Sequence, residues 1–196
     1  MTQFPNDRLK AFTDGVFAII ITLLVLELRL ESNELTLASL LHLIPKFMSY
    51  VIAFLMLAIF WINHSVLFKY VMYVDKKLLW LTILFILTLS WFPFSANLLG
   101  NYPESEISIF IFSANTLIST EVLVYTTNYV NRHHLVRDTV IMRNNTIKIR
   151  YTLLFLALIT VFFSVDIAKT CLTLTPLSVY FHKQKLQKLK TLWKHK

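Results

Sequence analysis

Residues 8–30 read RLKAFTDGVFAIIITLLVLELRL. From Val16 to Leu26 the only polar residue is Thr22, and charges stand at both ends with none between. As a helix rising 1.5 Å per residue, Phe12 to Leu30 covers roughly 28 Å, close to the thickness of a bilayer's hydrocarbon layer. The stretch predicts a membrane-spanning helix entered at Arg8 and Asp14 and left at Glu27 and Arg29. A cleaved secretory signal needs small residues before the cut. The segment Glu27-Leu28-Arg29-Leu30-Glu31 offers none, so the helix is expected to remain part of the protein.

The same character recurs along the chain. Only 15% of the 196 residues are charged and 56% are apolar, whereas soluble domains carry about 25% charged residues. Long apolar runs without strict alternation predict an all-α polytopic membrane protein rather than a β-barrel. The single Cys171 forms no intrachain disulfide. Six spans are expected within one transmembrane domain covering residues 1–196: about 10–30, 37–64, 78–99, 107–130, 149–165 and 167–182. Pro45 lies early in the second, and Pro93 is expected to kink the third or end it early. The run 149–181 is too long for one span. Its interruption at Asp166 and Lys169 divides it, and these two residues are expected to form a turn.

Positive charge tests that count, because cytoplasmic loops carry excess Lys and Arg. With six spans, 16 of the Lys and Arg residues fall on the side of the two termini and 3 on the other. Five spans would destroy this asymmetry. Both termini are therefore expected in the cytoplasm, and the net charge of +8 reflects membrane orientation rather than a nucleic-acid partner. The pair His133 and His134 lacks a third metal ligand at helical spacing and reads as a solvated loop. The tail Lys183–Lys196 carries Leu186, Leu189 and Trp193 among lysines. It reads either as a segment lying on anionic lipid or as a basic stop.

Arg8, Phe12-Thr13-Asp14-Gly15 and the apolar run to Glu27 together resemble the signature of the endosomal/lysosomal potassium channel family (transmembrane protein 175), in particular its prokaryotic members. Thr13 stands where that pattern usually has Ser, keeping the hydroxyl. Trp61-Ile62-Asn63-His64 also resembles the family. Elsewhere the likeness is one of layout.

Ile19, Leu23 and Leu26 share one face of the first helix, with Thr22 beside it. Periodicity alone does not choose between a pore lining and a packing stripe, and spacing by itself favours plain packing. The resemblance implies the pore. The residue five after the motif Asp, here Ile19, would form a hydrophobic constriction, with Leu23 and Leu26 as further apolar rings. Thr22 would correspond to a family threonine linked to ion selectivity. One copy of the motif per chain implies a homotetramer with K⁺ as permeant ion and no cofactor. A carbonyl filter of the Thr-Val-Gly-Tyr-Gly type is excluded, since the chain has no such run and only Gly15 and Gly100.

Arg8, Thr13 and Asp14 should lie at the same membrane depth as Trp61, Asn63 and His64. Asp14 can accept from Arg8, Trp61, Asn63 or His64, which predicts a bracket around the start of the pore helix. A proton-sensing Asp14–His64 pair and an ordinary interfacial His64 are the other readings. Glu27 reads as a cation-concentrating ring at the outer mouth or as a helix-end anchor. Glu121, inside the fourth span, is an intramembrane acid with no assigned role. Rival functions are a small secondary transporter, disfavoured by the scarcity of Gly, and a membrane enzyme, for which no nucleophile accompanies Arg8, Asp14 and His64.

Overall fold

A computed structural model describes residues 5–29, 36–136, 144–160 and 163–176. The tail Lys183–Lys196, the end of the sixth expected span and residues 137–143 of the basic loop lie outside them. Among the described residues the fold is all-helical: α1 (Asn6–Leu26), α2 (Leu37–His42), α3 (Ile44–Tyr70), α4 (Lys76–Ser90), α5 (Phe92–Asn101), α6 (Glu106–Arg132), α7 (Asn144–Thr160) and α8 (165–176). Four rods are long and apolar enough to cross a membrane: α1, α2 with α3, α4 with α5, and α6. The chain is a polytopic α-helical membrane protein.

The breaks within two rods follow from proline. Pro45 sits in the first turn of α3 and Pro93 in the first turn of α5, where a missing N–H costs nothing. Leu43 and Trp91 form the joints ahead of them. The break expected at Asp166 and Lys169 falls earlier. Phe163 and Ser164 make the turn, and both charged residues lie inside α8. Lys169 is drawn not to Asp166 but to Glu104 after α5, with which it forms an ion pair.

An aromatic spine joins the rods. Phe60 of α3 meets Phe85 of α4 and Phe92 of α5 edge-on at 5.9 Å, and Phe92 meets Phe112 of α6 at 5.7 Å. Phe17 brings α1 onto this spine through Phe85 at 6.2 Å. Such offset pairs add about 0.5–1.5 kcal/mol each beyond the area they bury. Against α6 the packing is different in kind. Ser113, Thr116, Ser119 and Thr120 are buried. Thr116 and Thr120 each donate to the carbonyl four residues back, whereas the Ser113 and Ser119 hydroxyls have no hydrogen-bond partner among the described residues; these small side chains let α6 pack against α4, α5 and α7.

The end of the bundle where α1 starts is tied by polar contacts. Asn6 donates through Nδ2 to the Val71 carbonyl at 2.9 Å, just beyond the last turn of α3. Asp75 caps α4 by accepting from the Leu78 N–H at 2.7 Å and also receives the Tyr129 hydroxyl. At the end of α6, His134 has a φ of 53°. The His134 N–H donates to Asn131 and the Leu135 N–H to Val130, a Schellman cap with a histidine where glycine is usual. The Met72 N–H then donates to the Leu135 carbonyl at 2.9 Å, so the end of α6 is docked onto the α3–α4 connection.

Candidate functional site

Helix α1 has two unlike faces. Leu9, Thr13, Phe17, Ile20 and Leu24 recur every three or four residues and are buried against the bundle. The opposite face is open. Ile19 is 59% exposed, and Phe12, Leu23 and Leu26 are exposed with it. Thr22 is exposed between them, its hydroxyl donating to the Ile19 carbonyl at 2.8 Å and leaving the oxygen lone pairs outward. Gly15 lies on the same open face, and a Cβ there would meet nothing within 4 Å. So the protomer covers one stripe of its first helix and leaves uncovered a stripe that water, lipid or another chain must meet.

Both ends of this helix are fastened sideways. At the start, Asp14 accepts from the Trp61 indole N–H at 2.9 Å, linking α1 to α3. Thr13 is fully buried, and its hydroxyl donates to the Leu9 carbonyl at 2.8 Å rather than to another helix. Arg8 is exposed, Asn63 is half-buried, and neither makes a side-chain hydrogen bond among the described residues. Of the four donors available to Asp14, the fold selects Trp61.

His64 turns the other way. It is buried, stacked on Phe68 at 4.3 Å and on Phe85 at 5.7 Å, with Phe17 at 6.3 Å. Neither ring nitrogen has a hydrogen-bond partner among the described residues. It is therefore neither an interfacial histidine nor a direct partner of Asp14; the imidazole fills an aromatic slot.

At the far end, Glu27 is half-buried and accepts from the Asn97 amide, whose own oxygen accepts from Asn101. Sequence reasoning did not single out Asn97 or Asn101. Their spacing of four on α5 is the signal, since it stacks both amides on one face toward α1. Asn6 was missed as well. Glu121 is exposed on α6, facing away from the protomer's own core.

The model of the family described as endosomal/lysosomal potassium channel TMEM175 matches residues 8–93, which hold the whole of α1, α3 and the Asp14–Trp61 contact except the first two residues of α1. A crystal structure of a lysosomal potassium-selective channel TMEM175 homolog from Chamaesiphon minutus superposes with a TM-score of 0.76 at 25% identity, covering 91% of this chain and 97% of that one. The chain is similar to the TMEM175 family over residues 8–93 and shares the fold of that homolog. A potassium channel of Chryseobacterium sp. is 34% identical over 112 residues, 57% of this chain and 58% of its own length. The endosomal/lysosomal proton channel TMEM175 of Danio rerio is 25% identical over 58% of this chain and 22% of its own length. The chain thus spans little more than half of the first relative and under a quarter of the second. By their descriptions these relatives are channels, not enzymes.

Proposed function

We propose that this chain is a potassium-permeable cation channel of the cell membrane. It acts as a homotetramer whose four α1 helices meet on a common axis, with both termini cytoplasmic. The reading rests most on the open face of α1: the stripe holding Ile19, Thr22, Leu23 and Leu26 is the one the protomer leaves uncovered. The relatives described as potassium channels support it.

In such an assembly Ile19 forms a ring of four apolar side chains, with Leu23 and Leu26 as further rings. A narrow apolar neck strips water from an ion and closes by dewetting. Stripping costs more for Na⁺ than for the larger K⁺, so the neck favours K⁺ without backbone carbonyls. Thr22 oxygens replace part of the lost hydration. Four Glu27 carboxylates, each held by Asn97, raise the cation concentration at the outer mouth. Conduction extends to protons, the ion in the description of the Danio rerio relative.

The test is purified protein in liposomes, with K⁺, Na⁺ and H⁺ flux recorded beside oligomer mass. Passive, non-saturating K⁺ flux exceeding Na⁺ flux from a tetramer is the expected result. A monomer, ion-tight vesicles, or saturating counter-ion-coupled flux would contradict it.

A further inference from the structure

The open stripe of α1 runs on past Phe12 to the start of the helix. Arg8 precedes Ile19 by 11 residues, three helical turns to within about 20°, so it shares that face roughly 16 Å nearer the N-terminal end. Arg8 is exposed, and among the described residues no hydrogen bond or ion pair holds its side chain. The acids at this end of the bundle are engaged or stand off the stripe. Asp14 accepts from Trp61, and Asp75 accepts from the Leu78 N–H and the Tyr129 hydroxyl. Asp7 is exposed on α1, about 100° round the helix from Arg8, and a half-buried Lys10 follows in the next turn. Residues 1–4 contain no acid. Asp138 falls outside the described residues, in a segment that also holds Arg137 and Arg143.

We propose that Arg8 rings the cytoplasmic mouth of the ion path and makes conduction directional, holding back cations that enter from the inside. The inference rests on the channel reading, since each chain supplies one guanidinium and the ring needs several copies of α1 around a common axis. A ring of like charges at a mouth lowers the local concentration of ions of its own sign. Its reach is the Debye length, about 30 Å at 0.01 M salt and about 3 Å at 1 M. At the other end of α1, Glu27 acts in the opposite sense, its carboxylate held in place by Asn97. The path then has a repelling inner mouth and an attracting outer one. At equal and opposite voltages, K⁺ passes inward more readily than outward, and the difference fades as salt rises.

The test is current through the full chain in planar bilayers with equal K⁺ on both sides. Cys171→Ser, which removes the single thiol of the chain, is the background. Inward current should exceed outward current by roughly threefold or more at 0.01 M K⁺, and the two should converge at 1 M. Arg8→Lys should keep the asymmetry, and Arg8→Cys should lower it. A cationic methanethiosulfonate reagent reaching the substituted thiol from the cytoplasmic side should restore it, and an anionic one should reverse its sense. A role for Arg8 in packing alone would not follow the sign of the added charge. Symmetric native currents at 0.01 M K⁺ overturn the ring. So does an asymmetry that survives Arg8→Cys and both reagents, or one that disappears entirely in Glu27→Gln with Arg8 intact. Ion-tight native protein would instead sink the channel reading on which the ring depends, so the two failures are told apart by whether current flows.

Discussion

Gly100→Ala should destabilise the protomer by an amount that the geometry sets. Gly100 lies near the end of α5, where it packs on α3 in the most extensive helix contact of the bundle. A Cβ at this position would sit 2.7 Å from Ser49 Oγ, 2.9 Å from Lys46 Cα and 3.3 Å from Lys46 Cγ. Carbon atoms in contact prefer about 3.5–4.0 Å. The Ser49 hydroxyl can rotate away, though it would leave the Lys46 carbonyl to which it donates at 2.9 Å. The Lys46 Cα is backbone, so α3 and α5 must separate by roughly 0.6 Å or more to restore ordinary contact. Overpacking of this kind costs about 1–3 kcal/mol. For a chain of this length each kcal/mol moves the midpoint by about 2–4 °C, so the apparent Tm in detergent should fall by roughly 2–12 °C. Adding Ser49→Ala to Gly100→Ala should recover only part of the loss, because the backbone clash remains. Gly15→Ala is the control. With nothing within 4 Å, it should leave the Tm unchanged or raise it through helix propensity. If Gly100→Ala melts with the native protein, the close approach of α3 and α5 described above is wrong.

Three further outcomes are expected. Trp61→Phe removes the donor to Asp14, and at this half-exposed site the loss should be about 1 kcal/mol. A double-mutant cycle with Asp14→Asn should show non-additive Tm changes, and simple additivity would deny the contact. His64→Leu removes two buried unpartnered nitrogens whose desolvation costs about 1–3 kcal/mol, more than the lost stacking. Its Tm should therefore rise, and a fall would mean that the imidazole is hydrogen-bonded. His134→Gly relieves the left-handed backbone at the end of α6 and should add roughly 0.5–1 kcal/mol; a lower Tm would show the histidine side chain contributing something the cap does not require.

Much of the fold can be read from apolar run length and from proline. Pro45 and Pro93 mark helix starts as their chemistry demands, and the four long spans fall where charge gives way to apolar residues. The α7–α8 turn is less legible, because local polarity pointed to Asp166 and Lys169 while Lys169 is partnered by Glu104, 65 residues away in sequence. The site divides in the same way. Periodicity reveals that α1 has two apolar faces, but Phe17 and Ile19 are equally greasy. Only the packing distinguishes them, Phe17 meeting Phe85 and Ile19 left open. His64 looks polar in the sequence because its stacking partners, Phe68, Phe85 and Phe17, include residues from other helices. Asn97 and Asn101 carry no motif, and their role emerges only when α5 is laid against Glu27.

The claim that the open face of α1 surrounds the ion path is tested most directly by paired substitutions of equal exposure. Ile19 and Leu87 are 59% and 58% exposed, on α1 and α4 respectively. Ile19→Asn and Leu87→Asn place the same amide on each helix, and K⁺ and Na⁺ flux is then measured in liposomes at matched protein content. A large change in leak or selectivity in Ile19→Asn, with native flux in Leu87→Asn, is the predicted result. Native K⁺ and Na⁺ flux in Ile19→Asn would contradict it.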